Sequence, residues 1–456
     1  MSFYILILFL IGLVLISTEQ IHRANKAAVA MFVGVLCWIV YLCFGTDFVM
    51  AEHGQEFRAV LQDGNGGVEN IKDFIAQNLF LKYFIQAANL VLFLIATMTI
   101  VEVLEYNGCF DFLQKLLYTR SPRRFLWVTG VVTFLLSANL DNLTTTCLML
   151  AISHSLISER RLRFAYGCEI VLAANCGGAF TVIGDVTSLA LWTHGLVEPT
   201  LYAARLALPC LAAFVLTTLL IQRSLPYKMQ TSRFTLPYRG DDTRLNYTQR
   251  IVLFLVGIGG LWFIPTFHRI THLPAFLGAL CVLAFLWIVN EICNRRLMTS
   301  DFMVRQRHPQ ALQHQNLQNI LFIIGLVLML GAVNESGFLN DFCNVVCQRT
   351  NNIYLLGTVA GTLSAFSNNV AILFTSIETF SHSDAAIYAP GSTFWPLISY
   401  CTAIGGTILP FGTLAGFALW RIEGISLRWY IAHFLPKVLI GGFCGLGVYW
   451  LCSLVG

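Results

Sequence analysis

Residues 134–152 read FLLSANLDNLTTTCLMLAI and place an acid and an amide, Asp141 and Asn142, inside a run otherwise apolar enough to lie in a bilayer. An ionisable side chain at that depth costs on the order of 3 kcal/mol on insertion scales, and such residues mark ion or proton paths. A weaker, neutral copy lies far downstream at 362–373, TLSAFSNNVAIL. Any fold of this chain has to bury both stretches.

Composition sets the class. Of 456 residues, 57% are hydrophobic and 11% charged, against roughly 25% charged in soluble domains. The longest polar stretches, 46–78, 223–250 and 294–315, are loop-sized. The chain is therefore an all-α polytopic membrane protein whose surroundings are the lipid bilayer, and no nucleic-acid partner is expected. The fourteen cysteines form no CxxC pair. Cys343 and Cys347 fall one helical turn apart and read as packing. No cofactor is expected. An intramembrane enzyme would need a nucleophile–base pair or a metal cluster at depth, and His154 has no evident partner in the sequence. The N-terminal run MSFYILILFLIGLVLIS lacks a basic n-region and reads as a first span rather than a signal peptide.

Spans need about 20 apolar residues. They are expected near 2–18, 27–45, 79–104, 200–222, 249–267, 273–293, 316–334 and 430–454, with an interfacial helix over 68–77. Four segments are unusual. Residues 124–157 and 352–380 are each interrupted by polar side chains, and 164–194 and 393–420 by Gly-Gly. If the first pair are re-entrant hairpins and the Gly-Gly segments cross once, 22 of the 28 basic residues fall on one side. If the hairpins cross instead, the split becomes 12 against 16. The positive-inside rule selects the first arrangement, with the basic side cytoplasmic and both termini outside.

The chain also repeats itself. FLIATMTIVEVLEYNG (93–108) aligns with FIIGLVLMLGAVNESG (322–337), LSAxxDN (136–142) with LSAxxNN (363–369), and GGxxxxxG (177–184) with GGxxxxxG (405–412). Each half crosses an odd number of times, so the second is upside down relative to the first. The expected fold is two inverted repeats, each with a re-entrant hairpin and a Gly-Gly-broken transmembrane helix. The first half is 1–223, with hairpin 124–157 and broken helix 164–194. A cytoplasmic linker covers 224–248. The second half is 249–456, with hairpin 352–380 and broken helix 393–420. Inverted repeats with broken helices are the architecture of secondary transporters.

Broken helices free backbone carbonyls where they line a cavity. Added to the side chains of Asp141 and Asn142, these make a hard oxygen cage for a small cation, with hydroxyls available from Ser137, Thr144 and Thr145. The alternative is a pair that only caps two half-helices. A second acid, Asp185, follows the Gly177-Gly178 pair, with Asn175 just before it. Two nearby acids can share a proton or exchange it for a cation. The second half is polar but neutral. Asn368 stands where Asp141 does and Thr413 where Asp185 does, and Ser364, Asn369 and Thr407 are further candidates. His268 and His272 read as loop residues, and Glu378 and Asp384 as acids facing water.

The residues LSANLDNLTTT, followed by AANCGGAFTVIGDVTSLALW, resemble the NhaD-type sodium/proton antiporters of bacteria, within the ion transporter superfamily. The segment 394–420 is similar to the corresponding late segment of that family. The resemblance implies exchange of cytoplasmic Na⁺ (or Li⁺) for external H⁺ in a bacterial inner membrane, with Na⁺ at Asp141, Asn142 and Asp185 and with Asn175 beside them. It also implies a homodimer. One departure stands out: the family's second hairpin usually carries an Asp-Asn pair, and this chain has Asn368-Asn369, which removes one titratable group. An anion carrier for arsenite or di- or tricarboxylates is the alternative within the same superfamily, and the neutral second hairpin suits it.

Overall fold

The structure, a computed structural model, describes residues 1–19, 25–60, 68–226, 245–294, 310–350, 352–383 and 385–455. Most of the expected linker, the GNGG run at 64–67 and Asp384 lie outside the described residues. The principal helices are α1 (Ser2–Ser17), α2 (Lys26–Phe44), α3 (Leu81–Tyr106), α4 (Pro122–Ser137), α5 (Asn142–Leu156), α6 (Arg160–Phe180), α7 (Val186–Thr193) and α8 (Pro199–Gln222). They continue as α9 (Tyr247–Thr271), α10 (Ala275–Asn294), α11 (Gln310–Glu335), α12 (Ile353–Phe366), α13 (Asn369–Phe380), α14 (Phe394–Gly406), α15 (Leu414–Glu423) and α16 (Leu435–Val455).

Among the described residues, seven helices are long and apolar enough to cross a membrane. They match seven of the eight expected spans; the eighth, α1, is apolar but shorter, at 16 residues. The expected interfacial helix at 68–77 is not separate. It runs through a π-helical turn at Ile75–Phe80 into α3, giving one helix over Val68–Tyr106. No Gly or Pro interrupts that stretch, so nothing in it ends the helix.

The chain forms two compact units. The first comprises Met1–Val91, His308–Asn352 and Phe374–Ala389. Its core is the contact of α2 with α11, where a Cβ on Gly325 would collide with the Met31 backbone. Trp38 Nε1 donates to Leu328 O at 2.8 Å there. At the end of α11, Glu335 accepts from Tyr83 Oη (2.8 Å) and meets His53 Nε2 (3.0 Å). The Asn334 amide donates to both Tyr83 Oη and Glu378 Oε2, each at 3.0 Å. Glu378, expected in water, is 5% exposed. Its own helix and Asn334 enclose it, a contact that lies 44 residues away in sequence.

The second unit comprises Leu92–Arg307, Ile353–Leu373 and Pro390–Gly456 and holds every candidate site residue. Two of its helix pairs are built on glycine. In one, Gly177 of α6 lies against the Phe134 carbonyl of α4; in the other, Gly405 of α14 lies against the Gly361 carbonyl of α12. A Cβ at either glycine would strike that carbonyl. Gly177 and Gly405 are therefore close-approach positions as well as markers of nearby helix ends. Helix α6 continues through Gly177-Gly178 to Phe180, and α14 ends on Gly405-Gly406; the chain leaves the helix at Thr181 and Thr407.

The ends of this unit are held by long-range bonds. At one end, Tyr166 Oη donates to Pro122 O (3.3 Å), Arg163 Nη1 donates to Ile157 O and Ser158 O (both 3.2 Å), and Arg163 Nε pairs with Glu423 Oε2 (2.9 Å). This end therefore gathers the start of α4, the end of α5, the start of α6 and the end of α15. At the other end, Gly391 N donates to Leu196 O (2.8 Å), Arg205 Nη1 donates to Gly391 O (2.9 Å), Tyr449 Oη donates to Thr393 O (2.6 Å), and Tyr354 Oη bonds Ser453 Oγ (2.8 Å).

Glu423 also takes His154 Nδ1 at 2.9 Å, so the histidine finds its partner 269 residues away. The Glu423 side chain is 2% exposed and Arg163 17%. Removing one partner of a buried pair costs about 3–5 kcal/mol. Glu423→Gln is expected at the low end of that range, because Arg163 keeps some solvent. His154, 53% exposed, is expected to matter less. Thermal unfolding of purified Glu423→Gln and His154→Gln proteins measures both.

Candidate functional site

Four helix N-termini in the second unit are closed by polar caps at equivalent places of the repeat. Asp141 caps α5, with Oδ2 accepting from Leu143 N (3.1 Å) and Thr144 N (3.2 Å), and Thr144 Oγ1 adds a contact at 3.4 Å. Asp185 caps α7 through Oδ1 and Val186 N (2.8 Å). Asn368 Oδ1 accepts from Val370 N (2.9 Å) at the start of α13, and Thr413 Oγ1 accepts from Gly416 N (3.1 Å) at the start of α15. Ser137 Oγ donates to Ala174 O and Ser364 Oγ to Thr402 O, at 2.8 and 2.7 Å, in matching positions. Local capping rules explain why these residue types sit there.

Two long-range bonds join the first-half motifs to the second-half ones. Asn369 Nδ2 donates to Asp185 Oδ2 at 3.4 Å, and Asn175 Nδ2 donates to Thr413 Oγ1 at 3.3 Å and to Val171 O at 3.0 Å. Asp185 is 7% exposed and also takes the Thr187 hydroxyl at 2.7 Å. Asp141 and Asp185 lie within electrostatic reach of each other. Among the described residues, the side chains hydrogen-bonded to these two carboxyls, Thr144, Thr187 and Asn369, are all neutral.

The Asn142 amide is oriented by a proton count. The Ser137 hydroxyl has one proton and lies within bonding distance of both Ala174 O and the Asn142 amide, and the same amide atom also faces the Ala174 and Gly184 carbonyls. Asn142 then turns its nitrogen toward Ser137 Oγ (2.6 Å), Ala174 O (2.9 Å) and Gly184 O (3.2 Å). The atom facing Asn175 is accordingly its oxygen, 3.3 Å from Asn175 Oδ1. With Asn142 assigned in this orientation, two amide oxygens face each other with no proton between them. Asn142, at 4% exposure, fits this position because Gly178 has no Cβ; one would collide with the Asn142 amide.

The structure thus brings together Asp141, Asn142, Ser137, Thr144, Asn175, Asp185 and Asn369. Asn368 and Ser364 hold the second-half turn. Thr407 turns its hydroxyl to Ile404 O (2.6 Å), with its carbonyl taken by Tyr430. The Thr145 hydroxyl is buried with no partner among the described residues. Sequence reasoning missed Thr187, although a hydroxyl two residues after a capping acid is a local signal. It also missed Glu169, fully buried in α6, whose place nine residues beyond Arg160 was the available clue. His268 and His272, expected in a loop, end a helix instead: His268 lies in the last turn of α9 with Nδ1 on Leu273 O, and His272 is the C-cap.

Comparisons with known proteins agree on a transporter. The chain is 28% identical over 445 residues to sodium/proton antiporter 2 of Arabidopsis thaliana, covering 97% of this chain and 98% of that protein. It is 31% identical over 366 residues to sodium/proton antiporter 1 of the same plant, spanning 80% of this chain but 62% of that longer protein. The Na⁺/H⁺ antiporter NhaD of Vibrio cholerae is 24% identical over 461 residues, covering 96% of this chain and 88% of that protein. The model of the family described as "Citrate transporter" matches residues 7–390. This multi-pass membrane chain belongs to that citrate transporter family.

Proposed function

We propose that the protein is a secondary active antiporter exchanging cytoplasmic Na⁺ or Li⁺ for external H⁺ at a site built on Asp141, Asn142, Asn175 and Asp185. The observation that carries this reading is the pair of facing amide oxygens of Asn142 and Asn175 beside two carboxyls. Facing acceptors repel unless something positive lies between them, and a small hard cation takes oxygen ligands of this kind. A carboxyl that binds either Na⁺ or a proton couples the two fluxes by mutual exclusion. Thr144, Thr187 and Asn369 orient the carboxyls, and Ser137 orients Asn142. Thr145 supplies a further hydroxyl, and Ser364, Asn368 and Thr407 shape the second-half turns.

The same reading includes inverted halves, 1–223 and 249–456, around the linker 224–248, with re-entrant hairpins at 124–157 and 352–380. Supporting it, α4 starts and α5 ends at one end of the second unit, beside Tyr166 and Arg163, while α12 starts at the other end with Ser453 close by. The basic end faces the cytoplasm, both termini face outside, the protein sits in a bacterial inner membrane, and it works as a homodimer.

One observation favours a citrate-type carrier: the caps Asn368 and Thr413 leave two helix N-termini uncharged, where an anion would bind well. The acids capping the other two weigh against it, since they repel a tricarboxylate. Reconstitution in vesicles with a pH-sensitive dye separates the readings. Na⁺ or Li⁺ is expected to dissipate an imposed proton gradient, with K⁺ and citrate inert. Citrate flux with no cation response would overturn the antiporter reading.

A further inference from the structure

Glu169 lies in α6 with no exposed surface. Gly130 of α4 leaves room for it, since a Cβ there would come within 2.8 Å of Glu169 Oε1. Thr218 Oγ1 lies 2.5 Å from Glu169 Oε1 and 2.7 Å from Phe214 O. A hydroxyl has one proton to give. That proton can serve Glu169 Oε1 or the Phe214 carbonyl but not both, and a protonated Glu169 lets both contacts be hydrogen bonds. The other oxygen, Oε2, has no partner among the described residues. An ionised carboxylate with an orphan oxygen in such surroundings is costly, whereas an acid carbonyl left unpaired costs far less. Among the described residues Glu169 has no ion-pair partner: α4 presents Gly130, and α8 presents Phe214 and Thr218. Its titratable neighbours are the thiols of Cys168 and Cys176 on its own helix, with Lys437 of α16 acting on Cys168.

Position gives this proton a use. Thr129, Thr133 and Ser137 recur every fourth residue along α4, each at most 1% exposed. Thr129 neighbours Gly130 at the level of Glu169, and Ser137 contacts Asn142 of the ion site. A row of hydroxyl side chains therefore lies along α4 between the level of Gly130 and the cation site; Thr133 and Ser137 donate to the Thr129 and Ala174 carbonyls, and the Thr129 hydroxyl has no partner among the described residues.

We propose that Glu169 is a second proton-binding residue of the transport cycle. It carries its own proton between the basic end of the unit and the ion site, in addition to the one exchanged at Asp141 and Asp185. This rests on the antiporter reading, and it restores the titratable group that Asn368 removes. In each cycle the Glu169 carboxyl gives its proton up toward the basic end and takes one back from the side of the ion site.

The test uses Glu169→Gln in proteoliposomes, with the proton-to-sodium ratio read from the reversal of flux under opposed gradients. The variant, fixed in the neutral form, is expected to move one proton fewer per Na⁺ and to show a shallower pH dependence. An unchanged ratio and pH profile, with wild type responding to Na⁺, overturns the proposal and leaves the antiporter reading standing. A wild type silent to Na⁺ overturns the antiporter reading and this role with it. Infrared spectroscopy of the wild type reads the proton directly and does not depend on the variant folding. A carboxylic-acid carbonyl band at neutral pH, shifted in Thr218→Val, is expected; its absence shows an ionised Glu169 and overturns the proposal.

Discussion

Asp141→Asn is expected to abolish Na⁺-dependent proton exchange in a protein that still inserts and purifies folded. The separation of effects follows from what the side chain does. As a cap, Asp141 accepts from Leu143 N and Thr144 N, and an asparagine oxygen can take the same bonds with nearly equal cap strength. As a transport group, Asp141 has to exchange a proton for a cation, and an amide has no proton to lose at ordinary pH and no charge to set against the cation. Asp141→Ala is expected to lose exchange and about 1 kcal/mol of stability besides, because the cap goes too. The dye assay reads exchange, and size-exclusion profiles after heating read the fold. Full exchange in Asp141→Asn would pass the role to Asp185.

Gly405→Ala is expected to cause the largest loss of folded protein among single-methyl additions. A Cβ on Gly405 meets the Gly361 carbonyl and Cα at bonded-like range. These are backbone atoms, so no rotamer change relieves the overlap. Helices α12 and α14 have to separate, and the bond from Ser364 Oγ to Thr402 O is lost with them. Overpacking typically costs about 1–3 kcal/mol and more where backbone has to move, so the effect belongs at or above the top of that range. Gly447→Ala in α16 is the control. Nothing lies within 4 Å of a Cβ built there, and alanine favours the helix by up to about 1 kcal/mol. Yield and apparent melting temperature of the two variants should move in opposite directions.

The features legible in the sequence were those set locally. Apolar length gave the spans, and acid or hydroxyl residues before apolar runs gave the caps at Asp141 and Asp185. The repeat offset anticipated that Ser137 and Ser364 would make matching bonds. What stayed hidden depended on chain segments far apart in sequence: Asn369 on Asp185, Asn175 on Thr413, and Glu423 on His154 and Arg163. The glycine pairs marked both helix ends closely, α14 ending on its pair and α6 two residues past its own, while the carbonyls that Gly177 and Gly405 admit come from other helices. Glu169 drew no reading from the sequence, because nothing near it along the chain marks it as buried. Its burial needed Gly130 and Thr218, from two other helices.

The most direct measurement is Na⁺ binding to the purified protein with simultaneous recording of released protons, repeated across pH. The account predicts that apparent Na⁺ affinity rises with pH, with about one proton released per Na⁺ bound at the Asp141–Asp185 site, and that release disappears in Asp141→Asn. Na⁺ binding whose affinity is independent of pH and which frees no proton would contradict the shared-site claim.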